Sequence, residues 1–332
     1  MKRRSFLSSL LALPLAGATP RRRRVETVTG GVSVQDLGTT LMHEHILVDF
    51  IGAEQASASR YEQDAVFRAA LPKLLDLRAR GCRTLVECTP AFLGRDPKLM
   101  RRLAEATDLR IVTNTGWYGA NGGKHLPKLA WSESAESIAQ RWIGEYREGI
   151  DGSGIRPGFL KLGVDKGALS EVNRKLIFAG CLCHKSTGLR LHVHSGDGAA
   201  AMSILSEMAR HDVPASAFVW VHAQNEEDGS LHAEAAKSGA FVEFDGISAK
   251  TQERHLQAVM GLVEIGHLDR LLISQDSGWY HVGEPGGGSY NGYTHLFDSF
   301  LPALRERGVS GLQIRKLLVE NPARALTWDS RG

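Results

Sequence analysis

The chain has 332 residues, of which 42% are hydrophobic and 23% are charged, and it carries a formal net charge of +3 at pH 7. This composition excludes a disordered chain, and no run after the N-terminus reaches the roughly 20 apolar residues that span a membrane. The length permits one large α/β barrel, for which about 250 residues are typical.

The first 18 residues have the pattern of an export signal. Arg3 and Arg4 precede a short apolar run, and the small residues Ala16, Gly17 and Ala18 resemble a cleavage site. The paired arginines also resemble a twin-arginine signal, which directs a folded protein out of the cytoplasm. We therefore expect a periplasmic or otherwise exported protein with no stable membrane span after cleavage. The alternative is an uncleaved anchor at the membrane.

The mature chain is expected to be nearly neutral. The sequence has 40 Lys and Arg residues, and removal of Lys2, Arg3 and Arg4 leaves 37, which equals its 37 Asp and Glu residues. Residues 19–35 are predicted to be a basic linker and N-terminal lead-in, in which the run from Arg21 to Arg24 is disordered. A neutral mature chain does not have the excess of positive charge that nucleic acids attract, so we expect no nucleic-acid partner.

The cysteines are predicted to be free thiols rather than disulfides; they are Cys82, Cys88, Cys181 and Cys183. Cys181 and Cys183 lie two positions apart in a helical pattern, so their side chains face different directions. A protein that is exported after folding can also keep thiols that were buried in the reducing cytoplasm.

From residue 36 to residue 330, short β-rich segments alternate with longer amphipathic segments. Strands are predicted near residues 39–46, 83–89, 109–115, 158–164, 189–194, 217–222, 240–245 and 270–276. Helical patterns, several of which end at glycine, occupy residues 63–81, 96–108, 134–149, 170–188, 199–212, 230–239, 253–269 and 295–308. Eight strand and helix pairs predict a single-domain (β/α)8 barrel over residues 36–330. A doubly wound open sheet is the alternative, although no G-x-G-x-x-G motif follows the first strand.

The first predicted strand contains two histidines, His43 and His45, on either side of Glu44. Because side chains alternate along a strand, the two imidazoles share one face and Glu44 points to the other. Two neighbouring imidazoles suggest a metal site, although a pair of hydrogen-bonded histidines is the other interpretation. Glu44 is interpreted as structural.

The fourth predicted strand, FLKLGV, carries a lysine on its inward face. The alternation places Lys161 opposite the apolar Leu160 and Leu162, which suit a face covered by helices. A lysine that is buried without a partner is unfavourable, so either another group neutralises it or its pKa falls. A structural ion pair is the other interpretation.

Three further strands end in polar residues. The fifth ends with His192 and His194 on one face, the sixth ends with His222, and the eighth ends with Asp276. Since catalytic groups of such barrels lie at the carboxyl ends of the strands, we expect six side chains to converge there, namely His43, His45, Lys161, His194, His222 and Asp276. The apolar residues at alternate positions are predicted to face outward; they are Leu191, Val193, Val219, Val221, Leu271 and Ile273.

The remaining histidines are interpreted as having no part in this cluster. His192, one layer deeper, is expected to be either a packed histidine or one that supports a ligand from behind. The others fall in helical or loop patterns and are interpreted as surface residues; they are His125, His184, His211, His232, His255, His267 and His295.

Together these motifs resemble the phosphotriesterase family of the amidohydrolase superfamily over about residues 27–330. The motifs are HEH at 43–45, FLKLG at 159–163, HVHSG at 192–196, WVH at 220–222, ISQD at 273–276 and ENPARAL at 320–326. The resemblance implies a (β/α)8 barrel with two divalent metal ions, usually zinc. It also implies that a hydroxide and a lysine carboxylated on its amine bridge the two ions.

The resemblance implies roles for residues of this chain. Carboxylation would fall on Lys161 and would turn a buried cation into an anion that two cations neutralise. The more buried metal would be held, with the carbamate, by His43, His45 and Asp276, and the more exposed metal by His194 and His222. Asp276 would also be the catalytic proton carrier, and Asp245 at the end of strand seven would orient a ligand imidazole.

The substrate is less constrained by the sequence. Members of the family hydrolyse lactones, other esters and organophosphate triesters. Tyr118 follows strand three where lactonase-like relatives have a tyrosine near the substrate, but Gly246 stands where those relatives have an arginine. The long, glycine-rich loop at residues 277–295 is predicted to be a mobile lid that lines the pocket through Trp279, Tyr280 and His281. A surface loop without substrate contact is the alternative.

We therefore expect a metal-dependent hydrolase that opens a small-molecule lactone or cleaves a carboxylic ester, and a homodimer is compatible with this assignment. One alternative is a hydrolase of organophosphate triesters or phosphoesters on the same site. A phosphatase or nuclease would need a basic cluster at the mouth, and no predicted strand ends in an arginine. The other alternative, a non-catalytic binding protein, does not explain why all six ligand positions are intact.

Overall fold

Eight parallel strands form a barrel in the computed structural model, which describes residues 23–327. Barrel strands 1 to 8 are Thr40–Glu44, Thr84–Glu87, the pair Arg110–Val112 and Asn114–Thr115, Phe159–Val164, Leu191–Ser195, Phe218–Val221, Phe241–Phe244 and Leu271–Ile273. Each lies within a strand predicted from the sequence or within one residue of it. The (β/α)8 architecture is confirmed, and the segment predicted as an export signal lies outside the described residues.

Neighbouring strands pair in chain order around the barrel. Strands 1, 2 and the first part of strand 3 form one parallel sheet, and the second part of strand 3 continues with strands 4 to 8 in another. The Asp276 N–H donates to the His43 carbonyl at 3.0 Å, and the His43 N–H donates to the Ser274 hydroxyl at 2.9 Å. These bonds join strand 8 to strand 1 and close the barrel.

Helices cover the outside of the barrel, and all eight predicted helical segments are confirmed. The main helices are Gln63–Ala79, Pro97–Thr107, Ala135–Glu148, Glu171–Thr187, Gly198–Arg210, Gly229–Ser238, Gln252–Glu264 and Leu301–Glu306, the last preceded by the π-helical turn Leu296–Phe300. Shorter helices are Leu129–Ser132, Gly311–Arg315, Lys316–Glu320 and Asn321–Ala325. Among residues 23–327, no helix is long and apolar enough to cross a membrane.

Local sequence signals explain where a helix begins and ends. The helix Glu171–Thr187 begins after Ser170, whose hydroxyl accepts a hydrogen bond from the Asn173 N–H, and it ends at Gly188, which has a φ of 78°. The first contact satisfies an N–H that has no partner within the helix, and the second uses a conformation that glycine adopts easily. This helix carries Cys181 and Cys183, which are buried and free, as are the other two cysteines.

An N-terminal hairpin precedes the barrel. Its strands are Arg24–Thr27 and Gly30–Ser33, so Arg24 begins a strand where we expected a disordered linker. Val25 of the hairpin is buried in the same hydrophobic cluster as the barrel interior, and the following Val28 N–H donates to the Ile111 carbonyl at 2.9 Å. The sequence prediction was wrong here because these apolar contacts outweigh the basic composition of the segment.

Two separate hydrophobic clusters distinguish the barrel interior from the shell between strands and helices. The interior cluster contains Met42, Val86, Cys88, Val112, Phe159, Val219, Val221, Phe241 and Leu272. The shell contains Leu160, Leu162, Leu191, Val193, Leu271 and Ile273, which confirms the outward direction predicted for these residues.

The prediction for strand 6 was wrong. Val219 and Val221 belong to the interior cluster, whereas Phe218 and Trp220 pack in the shell. Simple alternation would then direct His222 outward. Its backbone instead adopts a left-handed conformation, with φ 60° and ψ 40°, which turns the imidazole toward the mouth of the barrel.

Strand 1 departs from alternation as well. Leu41 packs in the shell and Met42 in the interior, and a bulge interrupts the pairing with strand 2 between Leu41 and Glu44. An extra residue in one strand shifts the faces of the residues that follow it. The bulge therefore lets two consecutive residues, Met42 and His43, both face the interior, which regular alternation does not allow.

We predict that Gly278, next to the barrel closure, tolerates no side chain. It has a φ of 100°, and a Cβ there would lie 1.8 Å from the His45 carbonyl oxygen and 2.5 Å from the Tyr293 hydroxyl. Overpacking and a left-handed backbone together should make Gly278→Ala less stable by about 3 kcal/mol or more in urea unfolding. The control is Gly261→Ala in the helix Gln252–Glu264, where no atom lies within 4 Å and alanine should add up to about 1 kcal/mol. Equal stability of the two variants would contradict this account.

Candidate metal centre

The carboxyl ends of strands 1, 4 and 8 bring three nitrogen atoms and a carboxylate together. His43 Nε2 lies 3.2 Å from His45 Nε2 and 3.4 Å from Lys161 Nζ. Asp276 Oδ1 lies 3.1 Å from His45 Nε2 and 3.7 Å from His43 Nε2. The two histidines and the lysine are at most 4% exposed.

The remaining two predicted ligands adjoin this group. The His222 ring centroid lies 4.8 Å from that of His43 and 4.5 Å from that of His194. His222 Nδ1 lies 3.9 Å from Asp276 Oδ2. The structure therefore brings all six side chains predicted from the sequence into one cluster, which we call the six-residue cluster.

The donor atoms of the six-residue cluster suit divalent cations. Imidazole nitrogens and a carboxylate are the ligands that zinc prefers, and His43, His45 and Asp276 offer ligand atoms within 4.8 Å of one another. His43 and His45 direct nitrogen atoms at each other, so no more than one hydrogen can lie between them. A cation between such atoms removes the repulsion of their lone pairs.

Polar contacts on the outer side of the imidazoles fix their orientation. The Thr89 hydroxyl lies 2.7 Å from His45 Nδ1, which leaves Nε2 directed at the cluster. Asp245 Oδ1 lies 2.6 Å from His222 Nδ1, and Asp245 Oδ2 lies 3.1 Å from His43 Nδ1. Partners of this kind fix the ring and tautomer of metal-binding histidines. Asp245 thus contacts two of the predicted ligands, where one was expected.

Glu44 supports the cluster indirectly. Its carboxylate accepts hydrogen bonds from the Ser274 hydroxyl at 2.8 Å, the Gln275 N–H at 2.9 Å and the Ser277 N–H at 2.8 Å. These bonds hold the segment that carries Asp276, whose φ is 52°. The interpretation of Glu44 as structural agrees with these contacts.

The electrostatic environment of His43 and Asp276 favours the protonation states that metals require. Burial, and then the charge of Lys161, lowers the pKa of His43 to about 3. Burial alone would raise the pKa of Asp276, but the hydrogen bond from His45 and the charge of His43 outweigh it and lower the pKa. Neutral imidazoles and an ionised carboxylate at neutral pH are the forms that bind a cation.

Of the residues expected to line the pocket, three border the cluster. The Tyr118 hydroxyl lies 3.2 Å from His194 Nδ1, and the Trp279 ring lies 4.1 Å from that of His45. His281 stacks on Trp279 at 6.1 Å. Tyr280, which was also expected to line the pocket, is instead buried in the hydrophobic shell. Neighbouring residues of the short strand Tyr280–His281 point to opposite sides, so only one of them can face the cluster.

Sequence reasoning missed an aromatic residue at the mouth. Phe50 is 43% exposed, and its ring lies 5.8 Å from Trp279, 5.9 Å from His281 and 6.1 Å from His125. We call Phe50, Tyr118, His125, Trp279 and His281 the aromatic border. Phe50 follows strand 1 by only a few residues, and this position near a carboxyl end was the signal that could have found it.

Four histidines interpreted as surface residues are buried. His125 belongs to the aromatic border, and the other three bond to carbonyl oxygens: His184 to Leu189, His232 to Ala223 and His255 to Thr251, at 2.8 to 2.9 Å. A helical position alone does not distinguish a histidine on the core face from one on the solvent face. His211, His267 and His295 are half-buried.

The chain is similar over most of its length to proteins of one family. A model of the phosphotriesterase family matches residues 23–326. The phosphotriesterase homology protein of Escherichia coli (strain K12) is 27% identical over 88% of this chain and 99% of its own length, and the aryldialkylphosphatase of Saccharolobus solfataricus is 25% identical over 88% and 95%. A solved structure of a mutant PTE-like lactonase from Deinococcus radiodurans has a TM-score of 0.82 and 29% identity, covering 91% of this chain and 99% of that one.

We predict that His192, which packs on Phe159 at 4.6 Å beneath the cluster, makes the protein sensitive to acid. Burial, and then the charge of Lys161, holds its pKa well below the ordinary value of 6.5. The unfolded chain therefore takes up a proton below that value while the folded chain does not, so stability falls as the pH falls. Relative to His192→Leu, the wild type should lose about 1.4 kcal/mol between about pH 7.5 and about pH 5.5.

This difference can be measured by urea unfolding in the presence of a chelator. His267→Leu, at a partly exposed position, serves as the control and should follow the wild type at both pH values. A His192→Leu variant whose stability changes with pH as the wild type does would contradict the prediction.

Proposed function

The chain belongs to the phosphotriesterase family of metal-dependent hydrolases, and we propose that it opens a lactone or cleaves a carboxylic ester. The observation that supports the metal centre is the convergence of six donor side chains at one end of the barrel, with His43 Nε2 within 3.4 Å of both His45 Nε2 and Lys161 Nζ. In this proposal His43, His45, Asp276 and carboxylated Lys161 would hold one divalent ion, and His194, His222 and the carbamate would hold the other.

When bound, two divalent cations, which we propose to be zinc, would supply a hydroxide near neutral pH and would polarise the carbonyl group under attack. The residues of the chain then have separate tasks. Asp276, whose side chain is 24% exposed, accepts the proton of the attacking water molecule and passes it to the leaving oxygen of the substrate. The Tyr118 hydroxyl donates a hydrogen bond to the substrate beside His194.

The environment of Lys161 supports its carboxylation. The amine is 2% exposed and adjoins an imidazole nitrogen of His43. An ammonium group there would repel the two cations, whereas a carbamate presents two anionic oxygens to them. The structural ion pair considered from the sequence is less favourable, because the neighbour of the amine within hydrogen-bonding distance is an imidazole.

The aromatic border supports an uncharged organic substrate. Its members present rings rather than charged groups to the mouth, and Phe50 exposes 43% of its surface there. A group of neighbouring rings beside polar donor atoms is typical of a small-molecule site. A lactone or an aryl ester fits such a border, whereas a dianionic phosphate would need cationic partners.

A second candidate is the hydrolysis of an organophosphate triester, which is also uncharged. The similarity to the aryldialkylphosphatase of Saccharolobus solfataricus favours it. We further propose that the protein acts outside the cytoplasm, on the basis of the signal-like segment at residues 1–18. Fractionation of cells that express the full chain would test this location.

We expect Lys161→Ala to abolish both metal binding and turnover, because the variant cannot form the bridging carbamate. Metal analysis of purified wild type should give about two divalent ions per chain, and that of the variant fewer than one. Intact mass analysis should find one added CO2 on the wild type only. Lys237→Ala, at an exposed helical position, is the control and should keep both ions. Full metal content in Lys161→Ala would favour a structural lysine.

We expect wild type to hydrolyse lactones or aryl esters faster than a phosphotriester in a panel that also includes sugar lactones and acyl-homoserine lactones. Asp276→Asn should lower kcat by about 100-fold or more with a much smaller change in KM, since the side chain acts on the proton rather than on substrate binding. A wild type that cleaves only the phosphotriester would exclude the lactone proposal. Equal losses in kcat and substrate affinity would argue against Asp276 as the proton carrier.

A further inference from the structure

The carboxylate of Asp245 is the point at which two halves of the six-residue cluster meet. It is fully buried and accepts three hydrogen bonds, from the His222 N–H at 3.0 Å, His222 Nδ1 at 2.6 Å and Gln224 Nε2 at 2.7 Å, and its Oδ2 also lies 3.1 Å from His43 Nδ1. Both oxygens of the carboxylate therefore have partners among these groups. His43 and His222 are proposed metal ligands, and the remaining partner is Gln224.

Gln224 makes two hydrogen bonds with Asp245. It lies in the short helix Ala223–Asn225, directly after His222. Its amide donates to Asp245 Oδ1 at 2.7 Å, and its carbonyl oxygen accepts from the Asp245 N–H at 3.2 Å. Only one orientation of the amide satisfies both contacts, since the NH2 group must face the carboxylate. The two contacts fix the position of the carboxylate and the backbone that carries it.

The absence of a side chain at Gly246 leaves room for this contact. A Cβ at position 246 would lie 2.9 Å from Gln224 Nε2 and 3.5 Å from His255 Nε2. The imidazole of His255 is buried and bonds through Nδ1 to the Thr251 carbonyl, so it borders this space without filling it. Any larger residue at position 246 would press on the amide that holds Asp245.

We propose that Gln224 is a positioning residue for the metal centre, acting through Asp245 on His43 and His222. These two histidines belong to different proposed metal positions, so loss of the amide disturbs both ions together. Gln224 donates to the same oxygen, Oδ1, that faces His222 Nδ1. Without that donor the carboxylate can rotate, and the two imidazoles lose the fixed direction of their partner.

The test compares the replacement of Gln224, which contacts Asp245, with the replacement of Gln257, which lies on an exposed helix face. In Gln224→Leu the amide is lost at similar side-chain volume, and in the control Gln257→Leu the lost amide bonds only Glu253 on the exposed face of the helix Gln252–Glu264. Zn²⁺ affinity is measured by competition with a chelator, and the visible spectrum of Co²⁺-loaded protein reports ligand geometry. We expect about 10- to 100-fold weaker Zn²⁺ binding and an altered Co²⁺ spectrum for Gln224→Leu, and no change for the control.

A second variant, Gln224→Glu, keeps the side-chain length but replaces the donor by a carboxylate next to Asp245. It should bind Zn²⁺ at least as weakly as Gln224→Leu. Wild-type affinity and an unchanged Co²⁺ spectrum in either variant would overturn the proposal, because the donated hydrogen bond would then have no effect on the centre. If the leucine variant does not fold, the glutamate variant alone decides by the same two measurements.

The inference rests on the proposed metal centre, and the experiment separates the two. A wild type that binds no divalent cation would refute the centre itself. A wild type that binds two ions, together with Gln224 variants that bind them equally well, would refute only the role of Gln224.

Discussion

The candidate metal centre depends on the short distances between three basic side chains, His43, His45 and Lys161. His43 Nε2 has His45 Nε2 at 3.2 Å and Lys161 Nζ at 3.4 Å, all in a region that is nearly closed to water. Three such groups cannot all be positively charged at these distances, because their charges would repel one another without solvent to screen them. The barrel holds them together through strands 1 and 4, which are themselves fixed by the closed ring of backbone hydrogen bonds. The fold therefore holds these three side chains in an arrangement that is unfavourable by itself. It becomes favourable when divalent cations bind and when anionic groups such as Asp276 and a carbamate on Lys161 share the site.

Much of the fold and of the centre could be predicted from the sequence, because strands alternate and parallel strands end at one edge. This reasoning located Lys161 and His194 on inward faces, and the structure agrees. For His222 the reasoning was wrong although the residue was identified. Val221 was predicted to face outward but faces the interior, and a left-handed backbone at His222 then turns the histidine toward the mouth. Asp276 also has a positive φ. Such single-residue conformations depend on tertiary contacts, in these cases with Asp245 and with the closure of strand 8 on strand 1.

Features that depend on contacts between distant segments were beyond the sequence. Phe50 and Trp279 come from loops more than two hundred residues apart, and only the closed barrel brings their rings together. The burial of His125 and the N-terminal hairpin arise in the same way. Tyr280 failed for a more local reason: it belongs to a short strand that pairs with Leu47, so that its side chain points away from the cluster. The pairing partner, rather than the local composition, determines which face of that loop lies toward the cluster.

One contact at the mouth links the centre to an optical signal. The indole of Trp279 lies on the ring of His45 at 4.1 Å and donates through Nε1 to the Asp276 carbonyl. We expect its emission to respond to the charge and ligation of both neighbours, since the excited indole is sensitive to fields at such distances. Among the six tryptophans of the chain, Trp279 is thus an intrinsic fluorophore beside two proposed ligands, and it offers a way to follow occupancy of the centre in solution without an added label.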